Sequence, residues 1–66
     1  MAELPLAPLE RILKNAGANR VSEDAIMALR EAVEDYAVAL SEASVALAKH
    51  AGRKTVQSED VKLAAK

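Results

Sequence analysis

Cysteine, phenylalanine and tryptophan are all absent from this 66-residue chain. Without cysteine there are no disulfides to staple the fold and no thiolates to hold a metal. The lone histidine, His50, cannot build a metal site by itself. Absence of cysteine also fits an intracellular setting. No stretch reaches the ~18 apolar residues that would span a bilayer. The N-terminus lacks a basic start followed by an apolar run, so no secretory signal is expected. Only two glycines and two prolines interrupt the chain.

What is present is alanine. It accounts for 15 residues within an apolar fraction of 52%. Alanine favours helix and lets helices approach closely, but it buries little area per residue. A chain of this size, read as one domain over residues 1–66, therefore has too little core to be comfortably stable alone. With disulfides and metal excluded, a partner chain is the remaining source of stability. The composition predicts an all-α protein that depends on oligomerisation.

The pattern predicts three helices. Pro5 and Pro8 suit a first helical turn, and Leu6, Leu9, Ile12, Leu13 and Ala16 follow at helical spacing. Gly17 is a natural stop, giving a first helix of about 5–16. Ser22 is a good N-cap, with Glu23 and Asp24 favouring the positive end of the next helix. No glycine or proline then appears before Gly52. Ile26, Leu29, Val33, Tyr36, Leu40, Ala43, Leu47 and His50 alternate spacings of three and four, which is one continuous stripe. At 1.5 Å per residue this helix is roughly 42 Å long. After a loop of Arg53, Lys54, Thr55 and Val56, Ser58 is expected to cap a short third helix over about 58–65. Two short helices cannot cover the long one, so part of its stripe must meet another chain.

The net charge of −1 hides a segregation. Residues 11–20 carry Arg11, Lys14 and Arg20 with no acid, and residues 49–57 carry Lys49, Arg53 and Lys54 with no acid. Residues 23–42 carry six acids against the single base Arg30. The local field follows where charges sit and not only their sum.

Particular residues resemble those of a known family. Leu4-Pro5-Leu6-Ala7-Pro8, Arg11-Ile12-Leu13-Lys14, Ala16-Gly17-Ala18 and Arg20-Val21-Ser22 resemble the start of an archaeal histone. Ala48-Lys49-His50-Ala51-Gly52-Arg53-Lys54-Thr55-Val56, followed by Glu59-Asp60, resembles that family's second loop. The resemblance implies a minimal histone fold (short helix, long central helix, short helix) forming an obligate head-to-tail dimer. Leu29, Val33, Tyr36 and Leu40 would then be dimer core. The first loop of one chain would lie beside the second loop of the other, bringing the two basic segments together.

The implied function is an architectural chromatin protein. It would bend or wrap double-stranded DNA through phosphate and minor-groove contacts with little sequence specificity. Arg20 resembles the family's minor-groove arginine. Thr55 resembles its partner in the second loop, while Arg11, Lys14 and Lys54 resemble phosphate contacts. Arg53 with Asp60 resembles a structural pair that fixes the second loop. Leu47, His50, Asp60 and Leu63 resemble the contact through which dimers stack. The implied partners are DNA, a second copy, stacked dimers and other histone-fold proteins, with no membrane, and the implied location is the cytoplasm, on the chromosome.

Some positions depart from the family. Ile26, Val38, Ala39 and Ala46 stand where charged or polar residues are common, and Gln57 stands where lysine is frequent. A basic C-terminal tail is expected to be missing. Each departure lowers positive charge, so the rival expectation is a protein-pairing module, or a capping subunit, with weak or no DNA binding. An enzyme is not expected: carboxylates on a solvated helix face have neither a concave pocket nor a perturbed pKa. No cofactor is expected either. A membrane-surface helix is disfavoured because the polar face of the long helix is acidic.

Overall fold

The structure is a computed structural model and describes residues 2–66. It contains α1 (Leu6–Asn15), α2 (Glu23–His50) and α3 (Ser58–Ala64), and no strand among the described residues. The short, long, short order follows the expectation, and the helix ends agree with it to within a residue or so. The chain divides within α2 into two compact units, one ending at Asp35 and the other Tyr36–Lys66.

In the first unit, Pro5 precedes α1 in an extended conformation at φ −69° and ψ 152°. Its fixed φ suits the entry to a helix, and its missing N–H is not needed there. The helix ends at Gly17, whose φ of +115° is open to glycine and costly for other residues. The Gly17 N–H donates to the Lys14 carbonyl at 3.0 Å and the Ala18 N–H to the Leu13 carbonyl at 3.2 Å. This pair of bonds is a Schellman closure, and it satisfies carbonyls the helix would otherwise leave open. Ser22 Oγ then accepts the Ala25 N–H at 3.1 Å, capping α2 as its position predicts. Among the described residues of this unit Leu9 and Ile26 are the buried apolar ones, joined by the buried acid Glu34.

The second unit repeats the same helix ending. Gly52, at φ +75°, donates its N–H to the Lys49 carbonyl at 2.9 Å, and the Arg53 N–H donates to the Ala48 carbonyl at 2.9 Å. Ala48 is buried, as is Ser44, whose hydroxyl donates to the Leu40 carbonyl at 2.7 Å. That bond satisfies a buried hydroxyl inside the helix. At α3 the structure corrects the sequence reading. Gln57, not Ser58, is the N-cap, and Ser58 is already the first helical residue. The freed donor is met from within the helix: the Asp60 carboxylate accepts the Gln57 N–H at 2.8 Å.

Burial is sparse. Among the described residues only Leu9, Ile26 and Ala48 are buried apolar residues, while Ile12, Tyr36 and Leu63 are 58%, 59% and 57% exposed. On the α2 stripe Leu29, Leu40 and Leu47 are half-buried and Val33 is exposed. Among the described residues no helix is long and apolar enough to cross a membrane.

Candidate nucleic-acid interface

Each unit displays its own basic group. In the first, Arg11 and Lys14 stand exposed on α1, three residues apart and so on neighbouring positions of one helix side. Arg20 is exposed in the segment between Gly17 and the capping Ser22. That segment is anchored at one end by the Schellman bonds of α1 and at the other by the Ser22 cap. Lys14 lies 3.4 Å from Glu10 one turn earlier, with both side chains largely in water. Such a pair contributes about 0.3–0.5 kcal/mol.

In the second unit, Lys54 and Thr55 are exposed in the turn after α2. The base of this turn is Arg53. Its Nη1 donates to Asp60 Oδ2 at 2.9 Å and its Nη2 to Asp60 Oδ1 at 2.7 Å. The same Nη1 also donates to the Thr55 carbonyl at 2.9 Å. Arg53 is therefore tied to the end of α2 by its amide and to α3 by its guanidinium. The planar fork matches a carboxylate in a way that lysine cannot. The Arg53 hydrogen bonds, and next the Gln57 N–H, hold the Asp60 carboxyl below the usual aspartate range, against the opposing effect of burial. Asp60 in turn raises the Arg53 pKa. Both partners stay charged, and the turn keeps its shape.

The residues read as dimer core are not closed off within the chain. Leu29 and Leu40 are half-buried, Val33 is 36% exposed and Tyr36 is 59% exposed. Of the stacking set, His50 and Leu63 are exposed and Leu47 is half-buried. Asp60, at 5% exposure, already receives three hydrogen bonds from its own chain.

A shallow groove of about 470 Å³ lies in the first unit, lined by Asp24, Met27, Arg30, Glu31, Glu34 and Asp35 among others. Its acids oppose a phosphate ligand. Among the described residues no group of three or more histidines and acids could hold a metal.

Sequence reasoning placed Glu34 with the solvated acids of the long helix. The structure buries it at 6% exposure, where its Oε2 accepts the amides of Glu3 and Leu4. Nothing in the helical periodicity marks this acid apart from Glu31 and Asp35, which remain exposed.

Comparison with known proteins agrees with this architecture. The family model for histone-like transcription factors (CBF/NF-Y) and archaeal histones matches residues 2–65. A subunit of the archaeal histone HAN1 from Thermococcus zilligii is 56% identical over 66 residues, covering 100% of this chain and 98% of that protein. Probable archaeal histone 3 of Methanocaldococcus jannaschii is 61% identical over 64 residues, covering 97% of this chain and 96% of that protein. The three helices form a histone fold, and the chain belongs to the family of histone-like transcription factors and archaeal histones.

Proposed function

We propose that this protein is an architectural chromatin protein that works as a homodimer on double-stranded DNA. The observation that carries the reading is the display of Arg20 and of Lys54 with Thr55. Each group is exposed, and each sits in a turn fixed at helix ends, inside a chain of the histone family. Rigid display matters because phosphate contacts fix the register of a protein on the duplex.

In this reading two chains pair head to tail through Leu29, Val33, Tyr36 and Leu40. The exposed apolar surface supports that pairing, since a chain with so few buried apolar side chains among its described residues has little to hold it folded alone. Pairing gathers the basic segments of both chains on one face. Arg11, Lys14 and Lys54 meet phosphates, Thr55 offers a hydroxyl and an amide, and Arg20 enters the minor groove, where width and deformability are read instead of base identity. Leu47, His50 and Leu63 then serve contacts between dimers. The place of action is the chromosome, in the cytoplasm, with no enzymatic activity.

Titration of the pure protein onto a duplex of ~60 bp at several salt concentrations tests the reading. Binding whose log affinity falls linearly with log salt, by about 0.9 per phosphate neutralised, supports it. No binding at low salt would redirect the fold to protein pairing alone.

A further inference from the structure

Glu34 is a buried acid for which the DNA-binding reading has no use. One oxygen, Oε2, accepts two consecutive backbone amides, Glu3 N–H at 2.5 Å and Leu4 N–H at 2.6 Å. The Leu4 amide is the main cause holding its carboxyl below the usual glutamate range. Glu3 N–H and Arg30 add to this, and burial opposes it. A buried carboxylate without such donors would be costly, so the two amides are what keeps it inside and charged.

The consequence is geometric. Glu3 and Leu4 are pinned to α2 only two residues before α1 begins at Leu6, and Pro5 between them has a fixed φ. Residues 3–5 are therefore a short, stiff strut from α2 to the start of α1. Nothing local replaces it: α1 has no side-chain cap and no acid in its first turn. At its other end α1 continues into residues 16–22, which are closed onto α1 by the Gly17 and Ala18 amides and onto α2 by the Ser22 cap. The strut therefore adds a tie to α2 at the start of α1, beside the chain connection at its end. Without it the start of α1 can swing, and Arg11 and Lys14 move relative to Arg20. All of these residues lie in the first unit.

We propose that Glu34 is a positioning residue for the DNA face, pinning Glu3 and Leu4 so that α1 holds Arg11 and Lys14 at a fixed spacing from Arg20. The proposal rests on the DNA-binding reading above. Its expected effect is opposite in sign to simple charge counting. Removing a negative charge from a DNA-binding protein should strengthen binding by Coulomb attraction. Removing Glu34 should weaken it, because phosphates are no longer met by aligned side chains.

The test compares the wild type with Glu34→Ala, with Glu34→Gln, with a chain lacking residues 2–4, and with the alanine variant combined with that deletion. Each is titrated onto a ~60 bp duplex across a salt series, with helix content, dimer mass and amide exchange at Glu3 and Leu4 followed in parallel. Glu34→Ala should retain helix and dimer, exchange faster at both amides, and bind about fivefold more weakly, as removal of a hydrogen-bonded interaction does. Its salt slope should be shallower by about 0.9 for each phosphate no longer engaged. The deletion should reproduce the weakening and the combination should add nothing. Glu34→Gln, which keeps a neutral acceptor, should fall between. A folded Glu34→Ala dimer that binds as tightly as the wild type, or tighter, overturns the proposal. If the alanine variant does not fold, undiminished binding by both the deletion and the glutamine variant overturns it equally. Failure of the wild type to bind duplex at low salt is a different result: it removes the DNA-binding reading itself, and this inference with it.

Discussion

Arg53 and Asp60 grip each other through two side-by-side hydrogen bonds of 2.9 and 2.7 Å across the turn between α2 and α3. The same carboxylate accepts the Gln57 amide that opens α3, and the Arg53 amide closes α2 on the Ala48 carbonyl. One ion pair thus joins a helix end, a helix start and the turn that displays Lys54 and Thr55. It is largely shielded, with the Asp60 side chain 6% exposed, so water competes little for its bonds.

Acid should loosen the fold in a defined direction. Asp60 and Glu34 both have pKa values lowered by folding. As pH falls through about 4, where ordinary carboxylates protonate, the unfolded chain takes up these protons before the folded chain does. The unfolded state then binds more protons, so stability drops as pH drops. The stabilisation is complete above that range and is lost as pH falls through the lowered folded values. Thermal melts at one protein concentration should hold level from neutral down to about pH 5 and fall steeply below about pH 4. Asp60→Asn should start lower and lose less. A wild-type melting temperature unchanged down to about pH 3 would contradict the account.

Gly52→Ala should destabilise through the backbone alone. A Cβ added there meets nothing within 4 Å, yet φ is +75°. The left-handed conformation costs an alanine about 1 kcal/mol. Gly52→Asn should cost less, because asparagine tolerates that region better. Denaturant unfolding of the two variants measures this, and an alanine variant as stable as the wild type would refute it.

The glycines show how far the sequence could be read. Gly17 and Gly52 bound an interval free of other helix breakers, and a single apolar stripe runs through it, so α2 was legible almost to the residue. The two basic turns were legible as well, since each follows a glycine stop. Glu34 was not. Its partners are backbone amides 31 and 30 residues away, and helical periodicity is blind to such a contact. The cap of α3 was missed for a related reason. Ser58 has the better capping side chain, but Asp60 is held by Arg53 and reaches back to the Gln57 amide, which moves the helix start. A tertiary bond overrode the local preference.

Leu40→Ala should weaken pairing of chains. Leu40 is only half-buried in one chain, so most of the effect is expected at the proposed contact with a second chain. Large-to-small changes at such positions cost about 2–5 kcal/mol. The melting temperature of this variant should fall, and its dependence on protein concentration should sharpen. A melting curve indifferent to both the substitution and the concentration would exclude Leu40 from the seam.

Arg20→Ala should separate function from folding. The side chain is exposed, and no ion pair holds it among the described residues. Helix content should be unchanged by circular dichroism. Duplex affinity should fall about tenfold, as removal of a charge-assisted hydrogen bond does. If the variant unfolds instead, Arg20 is structural and its assignment to the minor groove fails.

Each chain carries a net charge of −1, so any affinity for DNA has to come from where its basic residues sit and not from their sum. Duplex titration of the wild-type dimer across a salt series tests it most directly. Tight binding at low salt is expected, with a linear fall of log affinity with log salt steep enough for several phosphates at about 0.9 each. A stable dimer with no measurable affinity for duplex near 50 mM salt, where phosphate contacts are strong, would contradict it.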